Sequence, residues 1–179
     1  MTITAKSIKD APNKTQIKRL YHTAFPKEER LPWWLLRLWA FVKRFHLTAY
    51  YNGETFCGFT FGATEADVFY IMFFAVDRKL RGQGYGSSIL EHIKQENPGK
   101  TVLLNVELLD EAAPNNAQRI KRMAFYKKNG FTDTGFLIRE VGGIFRVLSS
   151  TAKIDVRAYQ QVFLKISYGF WKPKIWEEC

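Results

Sequence analysis

Cysteine is nearly absent from this sequence. The two present, Cys57 in an apolar stretch and Cys179 at the last position, give no disulfide framework and no Cys-x-x-Cys zinc spacing. Histidine is as scarce: His22, His46 and His92 stand alone, without a carboxylate or thiol at ligand spacing, so no metal site is expected. Acidic residues are few, 17 Asp and Glu against 27 Lys and Arg, and the net charge of +10 favours an anionic partner. Nucleic acid, an anionic membrane and a phosphorylated cofactor all satisfy that balance. No uncharged apolar run approaches ~18 residues, so no span of a bilayer is expected. There is no internal repeat, no low-complexity tract and no basic-then-apolar signal pattern at the start. A soluble, cytoplasmic protein is the expectation. What the chain does have is apolar material: 46% hydrophobic and 16% aromatic residues over 179 positions. That excludes intrinsic disorder and suits one domain, residues 1–179, with a substantial core.

The patterning alternates between sheet and helix. A short strand is expected over Thr2–Ile8. A helix after Asn13 carries Ile17, Leu20, Tyr21 and Phe25 on one face and stops at Pro26. A second helix is expected from Pro32 to about Phe45. Leu47–Tyr51 and Thr55–Gly62 flank Asn52-Gly53, a hairpin signal. Asp67–Val76 is almost continuously apolar, which predicts a strand covered on both faces. A helix from Ser87 to about Glu96 buries Ile89, Leu90 and Ile93 and ends at Asn97-Pro98-Gly99. A strand over Thr101–Val106, a helix over Ala117–Lys128, strands over Phe131–Leu137 and Gly143–Leu148, and a helix over Ala158–Ile166 complete the order. An irregular aromatic tail follows. The expected fold is a mixed α/β sheet with at least one parallel crossover.

Between the apolar strand and the helix after it lies Arg81-Gly82-Gln83-Gly84-Tyr85-Gly86. Three glycines in six residues let the backbone turn sharply and bring its N–H groups close to a ligand. With the helix N-terminus that follows, they make an anion site. A plain glycine-rich turn is the structural alternative. G-x-G-x-x-G and the Walker pattern are both missing.

The segment Val76-Asp77-Arg78-Lys79-Leu80-Arg81-Gly82-Gln83-Gly84-Tyr85-Gly86-Ser87 resembles the acetyl-CoA loop of the GNAT acetyltransferases, Arg/Gln-x-x-Gly-x-Gly/Ala. Arg81, Gly84 and Gly86 occupy its defining positions. Phe125-Tyr126-Lys127-Lys128-Asn129-Gly130-Phe131 is similar to the family's second signature, Tyr-x-x-x-Gly-Phe. Residues 47 to 140 carry the resemblance. It implies a mixed, mostly antiparallel central sheet with splayed parallel strands flanked by helices. It also implies acetyl-CoA as co-substrate and an N-acetyltransferase acting on a primary amine, of a small molecule before a peptide or protein.

Carried over by position, the resemblance places the pyrophosphate on the N–H groups of Arg81, Gly82, Gln83, Gly84, Tyr85, Gly86 and Ser87. Arg78, Lys79 or Arg81 would neutralise further phosphate charge, and the pantetheine arm would lie along Phe74, Ala75 and Val76. Tyr126 becomes the general acid toward the departing thiolate, with packing on CoA as the alternative. One departure stands out: where the family usually has an asparagine seven residues before that tyrosine, this chain has Arg119, with Asn116 three residues earlier. Glu107, at the end of its strand, is the first choice for the base, and Glu28 and Glu29 the second. Asp110 and Glu111 read as surface. No Ser–His–Asp or Cys–His arrangement is present, so direct attack in a ternary complex is expected.

Two other readings remain open. In Pro32–Phe45 the residues Trp34, Leu35, Leu38, Phe41, Val42 and Phe45 form one helical stripe, with Arg37, Lys43 and Arg44 elsewhere. A helix packed between the sheet and an acceptor or a second subunit reads this way; so does a helix lying on a membrane. A basic helix with Arg119, Lys121, Arg122, Lys127 and Lys128 would suit nucleic acid, but no reader motif accompanies it and no nucleic-acid partner is expected.

Overall fold

The computed structural model describes residues 1–140 and 143–178. Among them are eight strands and five α-helices, in a mixed α/β order. The chain divides into two compact units: Met1–Ala63 with Ile71–Pro98, and Thr64–Tyr70 with Gly99–Cys179.

In the first unit, β1 (Thr4–Ser7) pairs antiparallel with β2 (Phe45–Asn52), and β2 with β3 (Thr55–Glu65). Asn52 pairs with Thr55, so the two-residue turn is Gly53-Glu54, with Gly53 at φ +57°. Helix α1 (Lys14–Ala24) starts after Asn13, whose side chain makes no capping hydrogen bond, and it buries Ile17, Leu20 and Tyr21, as the spacing predicts. Tyr21 meets Phe25, Trp33, Phe59 and Phe73 at ring distances of 5.1–6.1 Å, an aromatic core joining the helix to the strands. Its hydroxyl donates to the Leu31 carbonyl at 3.0 Å, and burial pushes the phenol up to about 12.

Helix α2 (Trp33–Trp39) is shorter than its apolar pattern predicts. Phe45 belongs instead to β2, paired with Ala63, and its ring meets those of Trp39 and Phe61 at 5.0 and 6.0 Å in a three-ring cluster. Pairing and stacking outweigh helical continuation there. The buried side of α2 carries Leu36 and Trp39, so the stripe of Trp34, Leu38 and Phe41 faces outward.

Strand β4 (Val68–Val76) begins in the second unit and ends in the first. It departs from the two-sided burial expected of it. Val68 to Ile71 are buried, but then Met72, Phe74 and Val76 are half-buried and alternate with buried Phe73 and Ala75. Helix α3 (Tyr85–Glu96) follows and buries Ile89, Leu90 and Ile93.

The second unit holds β5 (Thr101–Glu107), α4 (Asn116–Lys128), β6 (Thr132–Glu140), β7 (Gly143–Ser149) and α5 (Val156–Ile166). Strand β7 pairs antiparallel with both β5 and β6. Asp155 caps α5, its carboxylate accepting from the N–H groups of Arg157 and Ala158. The tail is not wholly irregular: β8 (Ile175–Glu177) adds to β6 through Phe136, Leu137 and Ile138.

Candidate active site

The loop after β4 is built by local hydrogen bonds. Asp77 accepts from the Lys79 N–H at 2.9 Å and starts a short 3-10 turn, Arg78–Leu80. The Gln83 amide donates to the Lys79 carbonyl at 2.9 Å, and Arg81 Nε to the Val76 carbonyl at 3.2 Å. Arg81 thereby ties the loop to the strand end. Gly82 and Gly84 have φ of +78° and +88°, backbone that side chains rarely adopt, and a Cβ at either would meet nothing within 4 Å. The glycines are required by conformation, and the space above them is open. Gly84 caps α3, leaving Tyr85, Gly86 and Ser87 as first-turn residues whose N–H groups have no partner within the helix. This fits a phosphorylated group: donors converge at a positive helix end with no side chain in the way.

The strand leading to this loop is fixed from the other side. Gly58 of β3 lies so close to β4 that a Cβ would overlap the Ala75 carbonyl oxygen and sit 3.1 Å from Val76 Cα. The Asp77 N–H donates to the Cys57 carbonyl at 2.8 Å. Asn52 donates to the Tyr85 hydroxyl at 3.4 Å, so the β2–β3 turn contacts the loop. Phe74, Ala75, Val76 and the segment from Arg81 to Ser87 thus fall together in the first unit. Glu28 and Glu29 lie in the same unit, on a 3-10 turn (Lys27–Glu29) between α1 and α2.

Tyr126 lies in the second unit, on α4, and its place has a structural cause. The Phe131 N–H donates to the Tyr126 carbonyl at 3.1 Å and the Gly130 N–H to the Lys127 carbonyl at 3.1 Å, with Gly130 at φ +79°. This is the Schellman end of a helix, and the Tyr126 and Phe131 rings meet at 5.8 Å as its apolar contact. The spacing Tyr-x-x-x-Gly-Phe is therefore the spacing of a helix cap. The Tyr126 ring is buried, and burial pushes its phenol up to about 12 against a smaller opposing effect of Arg122. Its hydroxyl has no hydrogen-bond partner among the described residues.

Glu107 ends β5 with its side chain only 18% exposed. It accepts from Asn115 Nδ2 at 3.0 Å, faces Arg119 Nε at 3.5 Å and pairs closely with Arg122. Arg119, at the family's asparagine position, also donates to the Leu108 carbonyl at 2.7 Å and to Asn115 Oδ1 at 2.9 Å. It locks the β5 end to the start of α4. Asn116 is spent on the loop, accepting from the Asp110 N–H at 3.0 Å.

A cluster the sequence did not reveal lies in the same unit. Tyr70 donates to Glu140 Oε1 at 3.2 Å and Asn105 donates to the Tyr70 oxygen at 3.0 Å. Asn105 also donates to Glu140, and Tyr159 donates to Asn105 Oδ1 at 2.7 Å. Tyr70 and Tyr159 are fully buried, and burial first, then the Glu140 charge, raises both phenols well above their ordinary value. The four residues come from β4, β5, β6 and α5, so no local pattern links them. Among the described residues, no His, Cys, Asp and Glu grouping is able to hold a metal ion.

Comparison with known proteins agrees with this geometry. Residues 43–133 match the family model described as "Acetyltransferase (GNAT) domain". No curated protein matches the chain. Among solved structures, it is similar to a putative GNAT-family acetyltransferase from Bacteroides thetaiotaomicron, at 21% identity and TM-score 0.73, covering 96% of this chain and all of the other. It is also similar to Naa50 from Arabidopsis thaliana in complex with the bisubstrate analogue CoA-Ac-MVNAL, at 22% identity and TM-score 0.58, covering 84% and 99%. An aminoglycoside 6'-N-acetyltransferase complexed with coenzyme A matches at 14% identity and TM-score 0.61, covering 87% and 99%. At these identities the likenesses show the fold, the mixed α/β acyltransferase sheet with flanking helices. Together with the family match over more than half of its length, they give one conclusion: the chain belongs to the GNAT acetyltransferase family and is an acetyl-CoA-dependent acetyltransferase.

Proposed function

We propose that this protein, acting as one domain, transfers the acetyl group of acetyl-CoA directly to a primary amine of a small molecule. The observation that carries the reading is the loop at α3, where left-handed Gly82 and Gly84 keep open the space before the Tyr85, Gly86 and Ser87 amides. Those donors take the pyrophosphate, and the half-buried face of β4 at Phe74 and Val76 takes the pantetheine arm. For the acceptor, the half-buried rings of Phe25 and Trp33 beside Glu28 and Glu29 suit a cationic group with some apolar surface.

In the reaction the neutral amine attacks the thioester carbonyl. A C–N bond forms, the C–S bond breaks, and the sulfur leaves as a thiolate. Tyr126 is the group we assign to that thiolate. With its phenol near 12 it stays protonated at every ordinary pH. Complete transfer to an ordinary thiolate, with a pKa near ~8.5, is uphill by roughly 3.5 pH units or about 5 kcal/mol. Tyr126 therefore acts first as a hydrogen-bond donor to the developing charge.

Glu107 is the assigned acceptor for the ammonium proton. Its oxygens already face Asn115, Arg119 and Arg122, so the proton reaches it through water. A second carboxylate competes for this role on a specific observation: Glu140 takes hydrogen bonds from neutral Tyr70 and Asn105. The test of the whole reading is a calorimetric titration with acetyl-CoA beside Gly84→Glu. One-to-one binding that the variant loses, followed by amine-dependent thiol release, is expected. A folded wild-type protein that binds no acetyl-CoA would overturn it.

A further inference from the structure

The helix that the sequence pattern leads one to bury turns its widest apolar stripe outward. On α2 and the turn after it, Trp34 is 66% exposed, Leu38 57% and Phe41 69%. These positions are spaced i, i+4 and i+7, so they share one face. The opposite face is satisfied by Leu36 and Trp39, the latter stacked against Phe45 and Phe61. Burial of α2 in its own unit therefore does not account for the outer stripe. Isolated exposed apolar residues need no explanation, but three large ones in line do.

The charge around the stripe identifies what covers it. From Arg30 to Gly53 the sequence has no Asp or Glu, while Arg37, Lys43 and Arg44 lie within it. Arg37 and Lys43 are exposed. Lys9, from the β1 end, sits with its ammonium 4.8 Å above the Phe41 ring. A tryptophan, a leucine and a phenylalanine, with a lysine over one ring and exposed Arg37 and Lys43 in the same acid-free stretch, suit an anionic bilayer surface. The apolar side chains enter the headgroup boundary and the cations meet lipid phosphate and carboxylate. A second copy is a poorer occupant, because a two-fold contact would bring together two copies of the same basic stretch, which has no Asp or Glu from Arg30 to Gly53 to answer its cations. Among the described residues no helix is long and apolar enough to cross a membrane, so the contact is with its surface.

We propose that the face formed by Trp34, Leu38 and Phe41, with Lys9, Arg37 and Lys43 around it, is a docking surface for anionic lipid bilayers. It stands apart from the acetyl-CoA loop and does not depend on the reaction assigned above. The test is sedimentation of the full chain with vesicles of phosphatidylcholine alone or with about 30% phosphatidylserine. Binding to the anionic vesicles only, reversed by raised salt, is expected. The variant Trp34→Ser, Leu38→Ser, Phe41→Ser is expected to lower the lipid partition coefficient at least ~10-fold, and Arg37→Glu with Lys43→Glu to do the same. Circular dichroism and acetyl-CoA titration establish that each variant is folded. Should the apolar variant misfold, the charge variant alone decides. Wild-type protein that stays in the supernatant with anionic vesicles overturns the proposal, as does a folded variant that sediments like wild type. Two further outcomes also overturn it: a dimer in solution that the apolar variant dissociates without any vesicle binding, and binding to an oligonucleotide in place of vesicles.

Discussion

Gly58 offers the sharpest test of how the sheet supports the loop proposed to hold the cofactor. The perturbation is Gly58→Ala, a single methyl group. Built on the native backbone, it overlaps the Ala75 carbonyl oxygen and lies 3.1 Å from Val76 Cα and 3.3 Å from the Ala75 carbonyl carbon. All three atoms are backbone, so no flexible side chain can swing aside, and β3 or β4 must shift. Overpacking of this kind costs about 1–3 kcal/mol. Replacing a strand glycine returns about 0.5–1 kcal/mol of chain entropy. A clash with rigid backbone belongs in the upper half of the overpacking range, about 2–3 kcal/mol, so the net loss of about 1–2.5 kcal/mol should lower Tm by roughly 2–10 °C at this chain length. The shift also reaches the loop, because the Asp77 N–H is bonded to the Cys57 carbonyl and Arg81 to the Val76 carbonyl. The Kd for acetyl-CoA should rise by roughly 3–10-fold, about 1 kcal/mol. Gly99→Ala is the matched control. It forces a left-handed residue at φ +75° in open space, and it should cost about 1–2 kcal/mol of stability. It lies in the other unit, past the far end of α3. Scanning calorimetry and acetyl-CoA titration read both variants. If Gly58→Ala melts within about 1 °C of wild type and binds acetyl-CoA normally, the close approach of β3 to β4 does not set the loop, and the reasoning fails.

On the proposed role of Tyr126 toward the leaving thiolate, Tyr126→Phe should lower kcat by about 10–100-fold with little change in acetyl-CoA affinity; unchanged kcat removes Tyr126 from that role. The buried phenols predict alkaline lability. Burial raises Tyr50 and Tyr126 from 10.0 to about 12, so folding is favoured fully below pH 10 and the advantage is lost as pH rises from 10 toward 12. That is on the order of 3 kcal/mol for each. Tyrosinate absorbance followed with circular dichroism checks this, and ionisation of all eight tyrosines near pH 10 in folded protein would refute it. Glu107→Gln should lower kcat at least ~10-fold and lower Tm by a few degrees through its arginine partners; a lower Tm with unaltered kcat moves the proton acceptor to Glu140, to be read the same way in Glu140→Gln.

Much of the fold was legible because it is written in local patterns. Asn13, Pro26, Asn97 and Gly99 bracket α1 and α3 near the predicted limits, since caps and breakers act on adjacent backbone. The Asn52-Gly53 hairpin formed with its turn one residue later, at Gly53-Glu54. Strand β8 was missed because three residues carry no periodicity of their own and are ordered only by pairing with β6. Helix α2 stopped early because Phe45 gained more from Ala63 and the Trp39–Phe61 stack than from another helical turn.

For the site the division is the same. The sequence alone determined the shape of the Arg81–Ser87 loop proposed for acetyl-CoA, since left-handed glycines and a helix N-terminus are properties of consecutive residues. It determined the place of Tyr126 too, because a Schellman end needs its glycine and its apolar partner at fixed offsets. Tertiary structure decided the rest. It bound Glu107 to Asn115, Arg119 and Arg122, assembled Tyr70, Asn105, Glu140 and Tyr159 from four elements, and chose which face of α2 to bury. Those outcomes depend on which side chains meet across the fold, and a linear pattern records only what each residue offers to its neighbours in the chain.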